Sequence, residues 1–246
     1  MRLHVVVLTV LCAMLVSVAG AQTLNILDWG GTPPETTPTA SWYGSTGLIV
    51  VPTALITTPM KLTGGAHRIQ VEGQDDDQDV YNVNLALTAD LEFGVTRIDN
   101  IKPRGYLSTG LTDETVFNAK YNIDLSNYFG LDLAPELAIG AFDLSDELNR
   151  TFYVVASKAI QLKSEGALSK FTLHVGWGQT KHNFGALDGF FAGMDFIPFS
   201  NAIAQVEWDN AEYNACIRYY PIEWLSLDAG VVDGEFAFGL SAKAGF

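Results

Sequence analysis

The last stretch of the chain, EFAFGLSAKAGF from Glu235 to Phe246, alternates without a break. Phe236, Phe238, Leu240, Ala242, Ala244 and Phe246 fall on one face; Ala237, Gly239, Ser241, Lys243 and Gly245 fall on the other. A period of two marks a strand whose faces meet different surroundings. One reading is a half-buried strand of a soluble sandwich, which alternates in the same way. Length favours another. A tilted strand crossing a bilayer needs about 9–11 residues, with one side toward lipid and the other toward a wet or side-chain-filled lumen. Ends of soluble chains are commonly frayed and polar, whereas this one stays apolar on alternate residues to its final Phe.

The same pattern recurs through most of the chain. Strand-length segments run over His67 to Gly73, Val80 to Thr88, Leu91 to Asp99, Glu114 to Asp124, Leu137 to Phe142 and Arg150 to Leu162. They continue over Phe171 to Thr180, Gly189 to Phe199, Ala202 to Asp209, Glu212 to Tyr220 and Leu225 to Asp233. In Val80 to Thr88, for example, Tyr81, Val83, Leu85 and Leu87 oppose Asn82, Asn84 and Ala86. The expected fold is all-β: an antiparallel transmembrane β-barrel of about 12 strands over residues 66–246. An even strand count puts both ends of the barrel on one side of the membrane. With Phe246 on the periplasmic side, the acidic connections Gln74 to Asp79 and Asp143 to Asn149 face outward, and short turns such as Ala89-Asp90 face inward. Phe246 is then the expected barrel-assembly signal, and the bacterial cell outer membrane the expected location.

The first 21 residues carry one positive charge, Arg2, an apolar run from Val5 to Val18 and the small residues Ala19-Gly20-Ala21. This is the pattern of a secretory signal peptide, too short for a spanning helix. Leu11 before Cys12 argues against lipoprotein processing. Residues 22–65 form an extended segment rich in Pro, Thr and Gly, either an irregular first strand or a plug lying in the lumen.

Net charge is −14, which repels nucleic acid and excludes phosphate-backbone binding. Cys216, the cysteine left after signal removal, falls in a strand pattern as a small filler. Catalysis is not expected, since no nucleophile turn accompanies His174 or His182, and His174 reads as a lumen hydrogen-bonding residue. Nor do His or Cys recur at ligand spacing, and Asp75-Asp76-Asp77 with Asp79 lacks the spacing of a calcium loop. No metal or cofactor is therefore expected. The polar residues expected to face the lumen are Asn82, Asn84, Glu92, His174, Glu207, Asp209, Arg218, Asp228 and Lys243. A lumen of about 12 strands is narrow beside the 16–18 of open porins, and polymer passage through it is not expected.

Six segments carry a resemblance to a family. GSTGLIVVPTA (Gly44 to Ala54), PELAIGAFD (Pro135 to Asp143), YVVASK (Tyr153 to Lys158), VGWGQTKHNFG (Val175 to Gly185), GFFAGMDF (Gly189 to Phe196) and VEWDNAEYN (Val206 to Asn214) are similar, in order, to the YjbH-like outer-membrane proteins. The chain is shorter than many members and has Trp208-Asp209 where family strands often carry Tyr-Asp. The resemblance implies a non-enzymatic barrel that assists or scaffolds exopolysaccharide or capsule production and export. Its implied partners are outer-membrane lipid, the barrel assembly machinery, polysaccharide and other export proteins. A small-solute porin with a narrow polar lumen is the alternative.

Overall fold

The structure, a computed structural model, describes residues 40–71, 77–101, 113–123, 135–161, 170–182, 186–199 and 201–245. The expected signal peptide and the terminal Phe246 lie outside them. Twelve strands follow one another: β1 (Lys61–Ile69), β2 (Gln78–Ala86), β3 (Leu91–Asp99), β4 (Asp113–Ile123), β5 (Glu136–Phe142) and β6 (Thr151–Gln161). Then come β7 (Lys170–Thr180), β8 (Gly189–Phe199), β9 (Ala202–Trp208), β10 (Tyr213–Ile222), β11 (Leu225–Val232) and β12 (Glu235–Gly245). Each pairs with its neighbour in sequence, and β12 returns to pair with β1, so the ring closes. The seam runs antiparallel from Lys61 opposite Gly245 to Ile69 opposite Ala237. Closure satisfies every strand edge, the condition a sheet must meet to stand in hydrocarbon.

Alternation sets the two faces. Phe93, Val95, Phe117, Phe152, Trp177, Leu227 and Phe238 are exposed on the outer wall, while Glu92, Thr96, Asn118, Lys120, His174 and Arg218 are buried within. A wall with apolar side chains outside and charged ones inside inverts the order of a soluble domain. It is the arrangement of a membrane barrel. Aromatic side chains gather toward both ends of the wall. Trp177 stands opposite Phe190 in the β7–β8 register, and the rings of Trp208 and Tyr213 stack 6.4 Å apart. Phe199, Tyr219 and Trp224 are exposed toward the other end. Two such belts are what the membrane interfaces select.

The rim bearing the end of β12 is termed the lower rim. Its fully described connections are short, residues 87–90 between β2 and β3 and Glu223-Trp224 between β10 and β11. The upper rim carries the segments 143–150, 209–212 and 233–234. Prolines sit where the ladder slips: the β8–β9 register shifts between Phe196 and Phe199, around Pro198, and the β10–β11 register between Tyr219 and Ile222, around Pro221. A proline has no N–H to donate, so a bulge is where a strand tolerates one.

The first strand differs from expectation. β1 runs over Lys61–Ile69, so it begins inside the segment assigned above to the N-terminal extension and ends before the Gly73 expected for the first strand; Gly64 and Gly65 lie within it. Both are packed too closely for a side chain. A Cβ at Gly64 would crowd the Asn82 carbonyl, and one at Gly65 the His67 ring.

Candidate functional site

Residues 40–57 lie inside the barrel. Trp42, Leu48, Ile49, Val51 and Ala54 are buried together with the wall residues Val80, Ile98, Val116, Val155 and Phe191. The described part of the extension before β1 is thus a plug, and it shares an apolar core with these wall residues in a lumen that also points many polar groups inward. Its fold is a set of bends, with isolated bridges pairing Ala40 with Thr46 and Gly47 with Pro52. The Trp42 backbone N–H donates to the Ile49 carbonyl at 2.8 Å and the Leu48 N–H to the Val51 carbonyl at 2.9 Å. Gly47 is needed at the turn, because a Cβ there would press on the Val51 carbonyl.

Such a compact turn leaves backbone groups that the plug cannot pair internally, and buried charges on the wall take them. The Glu207 carboxylate accepts three consecutive N–H groups: Ile49 at 3.0 Å, Val50 at 2.8 Å and Val51 at 3.1 Å. Consecutive amides converging on one carboxylate form an anion nest. Asn214 donates to the same carboxylate at 2.9 Å. On the other side of the lumen Lys120 does the complementary work for carbonyls, donating to Thr46 at 2.8 Å, Thr53 at 3.1 Å and Leu55 at 2.7 Å. Glu92 stands 3.9 Å from the Lys120 ammonium and accepts the Thr46 N–H at 2.7 Å. One carboxylate and one ammonium therefore grip the same plug residue.

A third grip comes from β10. The Arg218 guanidinium donates to the carbonyls of Ala40 at 2.9 Å and Leu48 at 2.8 Å. Asp228 lies 4.0 Å from it and accepts hydrogen bonds from Ser226 at 2.9 Å and Ser241 at 2.7 Å. The same carboxylate is 2.9 Å from His67 Nε2, and the His67 ring stacks on Trp42 with centroids 4.3 Å apart. Asn82 closes this side by donating to the carbonyls of Ser41 and Trp42 at 2.7 and 2.9 Å.

His174 belongs to a line of its own. Its Nδ1 is 2.8 Å from the Ser157 hydroxyl and its Nε2 is 3.0 Å from Asp195. Serine, histidine and aspartate are the residue types of a nucleophilic triad. Here, however, the Ser157 oxygen accepts the plug's Ala54 N–H at 2.8 Å. In the observed state this line serves as a fourth plug contact, with Asp195 orienting the imidazole.

Of the nine residues expected in the lumen, eight are buried there and Lys243, near the lower rim, is partly exposed. Glu207, Glu92, Arg218 and Asn82 touch the plug directly, Asp228 supports Arg218 and His67, and His174 acts through Ser157. Asp209 instead caps the upper-rim turn, accepting the N–H groups of Ala211 and Glu212, each at 2.9 Å. Asn84 is buried against Gly94, where a Cβ would strike its amide. Lys120, His67, Ser157 and Asp195 join the site without having been singled out in the sequence. Lys120 is readable by parity, since it alternates with the outward Ala119 and Tyr121. Ser157 is readable in the same way, opposite the outward Phe152, Val154 and Ala156, whereas nothing local marks His67 and Asp195. Among the described residues no group of three or more His, Cys, Asp or Glu is placed to hold a metal ion.

Above the plug, at the upper rim, lies a cavity of about 90 Å³. Its floor is plug residues such as Tyr43 and Val50, and its wall includes Ile69, Ile98, Phe142 and Val232.

No family model matches the chain, and no curated protein matches it either. Among solved structures it is similar to the N-terminal β-barrel domain of Pseudomonas aeruginosa OprF, at 10% identity over 76% of this chain and 98% of that one, with a TM-score of 0.25. It is also similar to Pseudomonas putida OprB, at 11% identity over 75% and 91% of the two chains, TM-score 0.25. A third is Ail, the attachment invasion locus protein of Yersinia pestis, at 10% identity over 75% and 95%, TM-score 0.15. The architecture itself stands on the closed strand order and inverted faces of this chain: it is a twelve-stranded membrane β-barrel with its lumen filled by its own N-terminal segment.

Proposed function

We propose that the protein is an outer-membrane barrel acting as a non-enzymatic accessory or scaffold in exopolysaccharide or capsule production and export. The observation that carries this reading over a free conduit is the plug. Residues 40–57 fill much of the lumen and are held by Glu207, Lys120, Glu92 and Arg218, all buried. A polysaccharide strand, or a stream of small solutes, would have to displace an apolar core and strand these charges in a dry interior. Each uncompensated buried charge costs several kcal/mol. A role that uses the barrel's surfaces, with the lumen shut, avoids that cost. The link to surface polysaccharide comes from the YjbH-like motifs, five of which fall wholly or partly on described strands: PELAIGAFD on β5, YVVASK on β6, the VGWGQT of VGWGQTKHNFG on β7, GFFAGMDF on β8 and VEWDNAEYN from β9 into β10. In this reading the upper rim faces outward, the lower rim faces the periplasm and the assembly machinery, and the aromatic belts sit at the two lipid interfaces.

Two measurements decide it. Deletion of the gene is expected to reduce surface polysaccharide, with restoration by the wild-type copy. Purified barrel in planar bilayers is expected to pass no steady current. Unchanged polysaccharide would sink the export role, while a steady open-channel current would favour the small-solute porin instead.

A further inference from the structure

We infer that the inner wall carries a binding site for a small monovalent metal cation, of the size of sodium, formed by Thr172 Oγ1, Asp195 Oδ1 and Gln205 Oε1. The inference goes beyond the scaffold role and does not depend on it.

The balance of buried charge singles out Asp195. Among the described residues six carboxylates are buried, Glu92, Asp143, Asp195, Glu207, Asp209 and Asp228, against two lysine or arginine side chains, Lys120 and Arg218. Five of the six meet a donor at both oxygens. Glu92 takes the Thr46 N–H and hydroxyl, and Glu207 takes the plug amides. Asp228 takes Ser226 and Ser241, while Asp143 and Asp209 cap upper-rim turns. Asp195 is the one that leaves an oxygen over: Oδ2 is 3.0 Å from His174 Nε2, and Oδ1 meets no donor. The Ser157 hydroxyl accepts the Ala54 N–H and has its own proton to give to His174 Nδ1. The imidazole then carries one proton, on Nε2, and is no counter-charge for Asp195. Nor is Arg218, because the carboxylate it approaches is Asp228, at 4.0 Å. A buried carboxylate without a counter-charge is costly, and a bound cation removes that cost.

The side chains beside Asp195 along the register are in the same state. Thr172 on β7 stands opposite Asp195 on β8, and Asp195 opposite Gln205 on β9. Side chains opposite one another on one face start about 5 Å apart, so these three share one patch of the inner wall. All three residues are buried, and Thr172 Oγ1 and Gln205 Oε1 have no hydrogen-bond partner either. A set of oxygens without nitrogen or sulfur suits a hard cation. Its single carboxylate balances one positive charge, whereas a divalent ion would keep a net charge in a dry interior. None of the three oxygens meets solvent, which favours a bare ion smaller than water, and so sodium over potassium. The site is joined to the plug, since Asp195 orients His174, His174 bonds Ser157, and Ser157 holds the Ala54 N–H. A cation at Asp195 therefore secures the fourth plug contact.

The test uses the full barrel with its plug, refolded in detergent at neutral pH, with sodium or potassium chloride replacing choline chloride at constant ionic strength. Screening of surface charge is then common to every sample. The temperature at which the folded, heat-modifiable form is lost is expected to rise saturably with sodium, as it does for a ligand of the folded state alone. Potassium is expected to need about ten-fold more for the same rise, a difference of about 1.4 kcal/mol. Cleavage within residues 44–54 by limited proteolysis is expected to slow over the same sodium range. Asp195→Asn keeps an acceptor for His174 and removes the charge. It is expected to abolish the sodium response and to be at least as stable as the wild type in choline. Thr172→Val, of the same shape, is expected to raise the half-saturating sodium concentration about ten-fold, the effect of losing one contact of hydrogen-bond strength to a charge. Absence of a sodium response in the wild type overturns the proposal, as does an equal response to potassium. A full sodium response in Asp195→Asn also overturns it. Should that variant not fold, an unchanged half-saturating concentration in Thr172→Val does the same. None of these readouts involves surface polysaccharide, so failure here leaves the scaffold role standing, and the reverse.

Discussion

At the scale of single residues, the lumen is governed by which backbone groups the plug leaves over. Glu207 accepts from three successive amides, so its value lies in offering two oxygens and no hydrogen. Glutamine at the same place would turn one of those acceptors into an NH₂ facing N–H donors. We expect Glu207→Gln to destabilise the barrel by about 3 kcal/mol, in the range for removing one member of a buried, hydrogen-bonded charge set. The measurement is the urea midpoint of the refolded protein in detergent, with an unchanged m-value showing that the same surface is exposed on unfolding. A loss below about 0.5 kcal/mol, the size of an ordinary surface substitution, would mean that the nest is incidental to stability. Asn214, bonded to both Glu207 and Asp209 at 2.9 and 3.0 Å, ties the nest to the upper-rim turn and so limits how far the carboxylate can relax.

At the scale of elements, the twelve segments and their inward and outward faces are readable from period two alone, because each strand meets lipid on one side and the lumen on the other. Of β1 only the end from His67 is read that way, because the part before it holds Gly64 and Gly65, and glycine carries no side chain from which a face can be read. The plug is visible in the sequence as a segment but not as a structure. Its contacts pair Ile49 with Glu207 and Ala40 with Arg218, 158 and 178 residues apart, and no local pattern encodes such partners. Nor does any local pattern explain glycine at 193, on β8. In the structure a Cβ at that position would overlap the Leu48 side chain of the plug. We therefore expect Gly193→Val to leave the strand pairing intact and push the plug off its seat. Limited proteolysis should then cut within residues 44–54 faster than in the wild type, while migration remains heat-modifiable. Equal protection of that segment in both proteins would show that β8 does not seat the plug.

At the scale of the whole molecule, one wall separates two apolar regions with different owners. Outside, Trp177 is 60% exposed in a belt that lipid would cover. Inside, Trp42 is fully buried and stacked on His67. Single-tryptophan variants in bilayers containing brominated acyl chains should separate them: Trp177 quenched strongly, Trp42 hardly at all. Comparable quenching of both would place Trp42 against lipid and dismiss the plug. The seam between β1 and β12 bears on timing as well as on shape. The plug leaves the ribosome ahead of every strand, yet Glu207 follows Ile49 by 158 residues and Arg218 follows Ala40 by 178. Contacts so distant along the chain form late, when the ring shuts. Until then the Leu48-Ile49-Val50-Val51 run is an orphaned greasy ribbon. The last act of assembly is therefore a corking, and until it happens that ribbon has to be kept from meeting another of its kind.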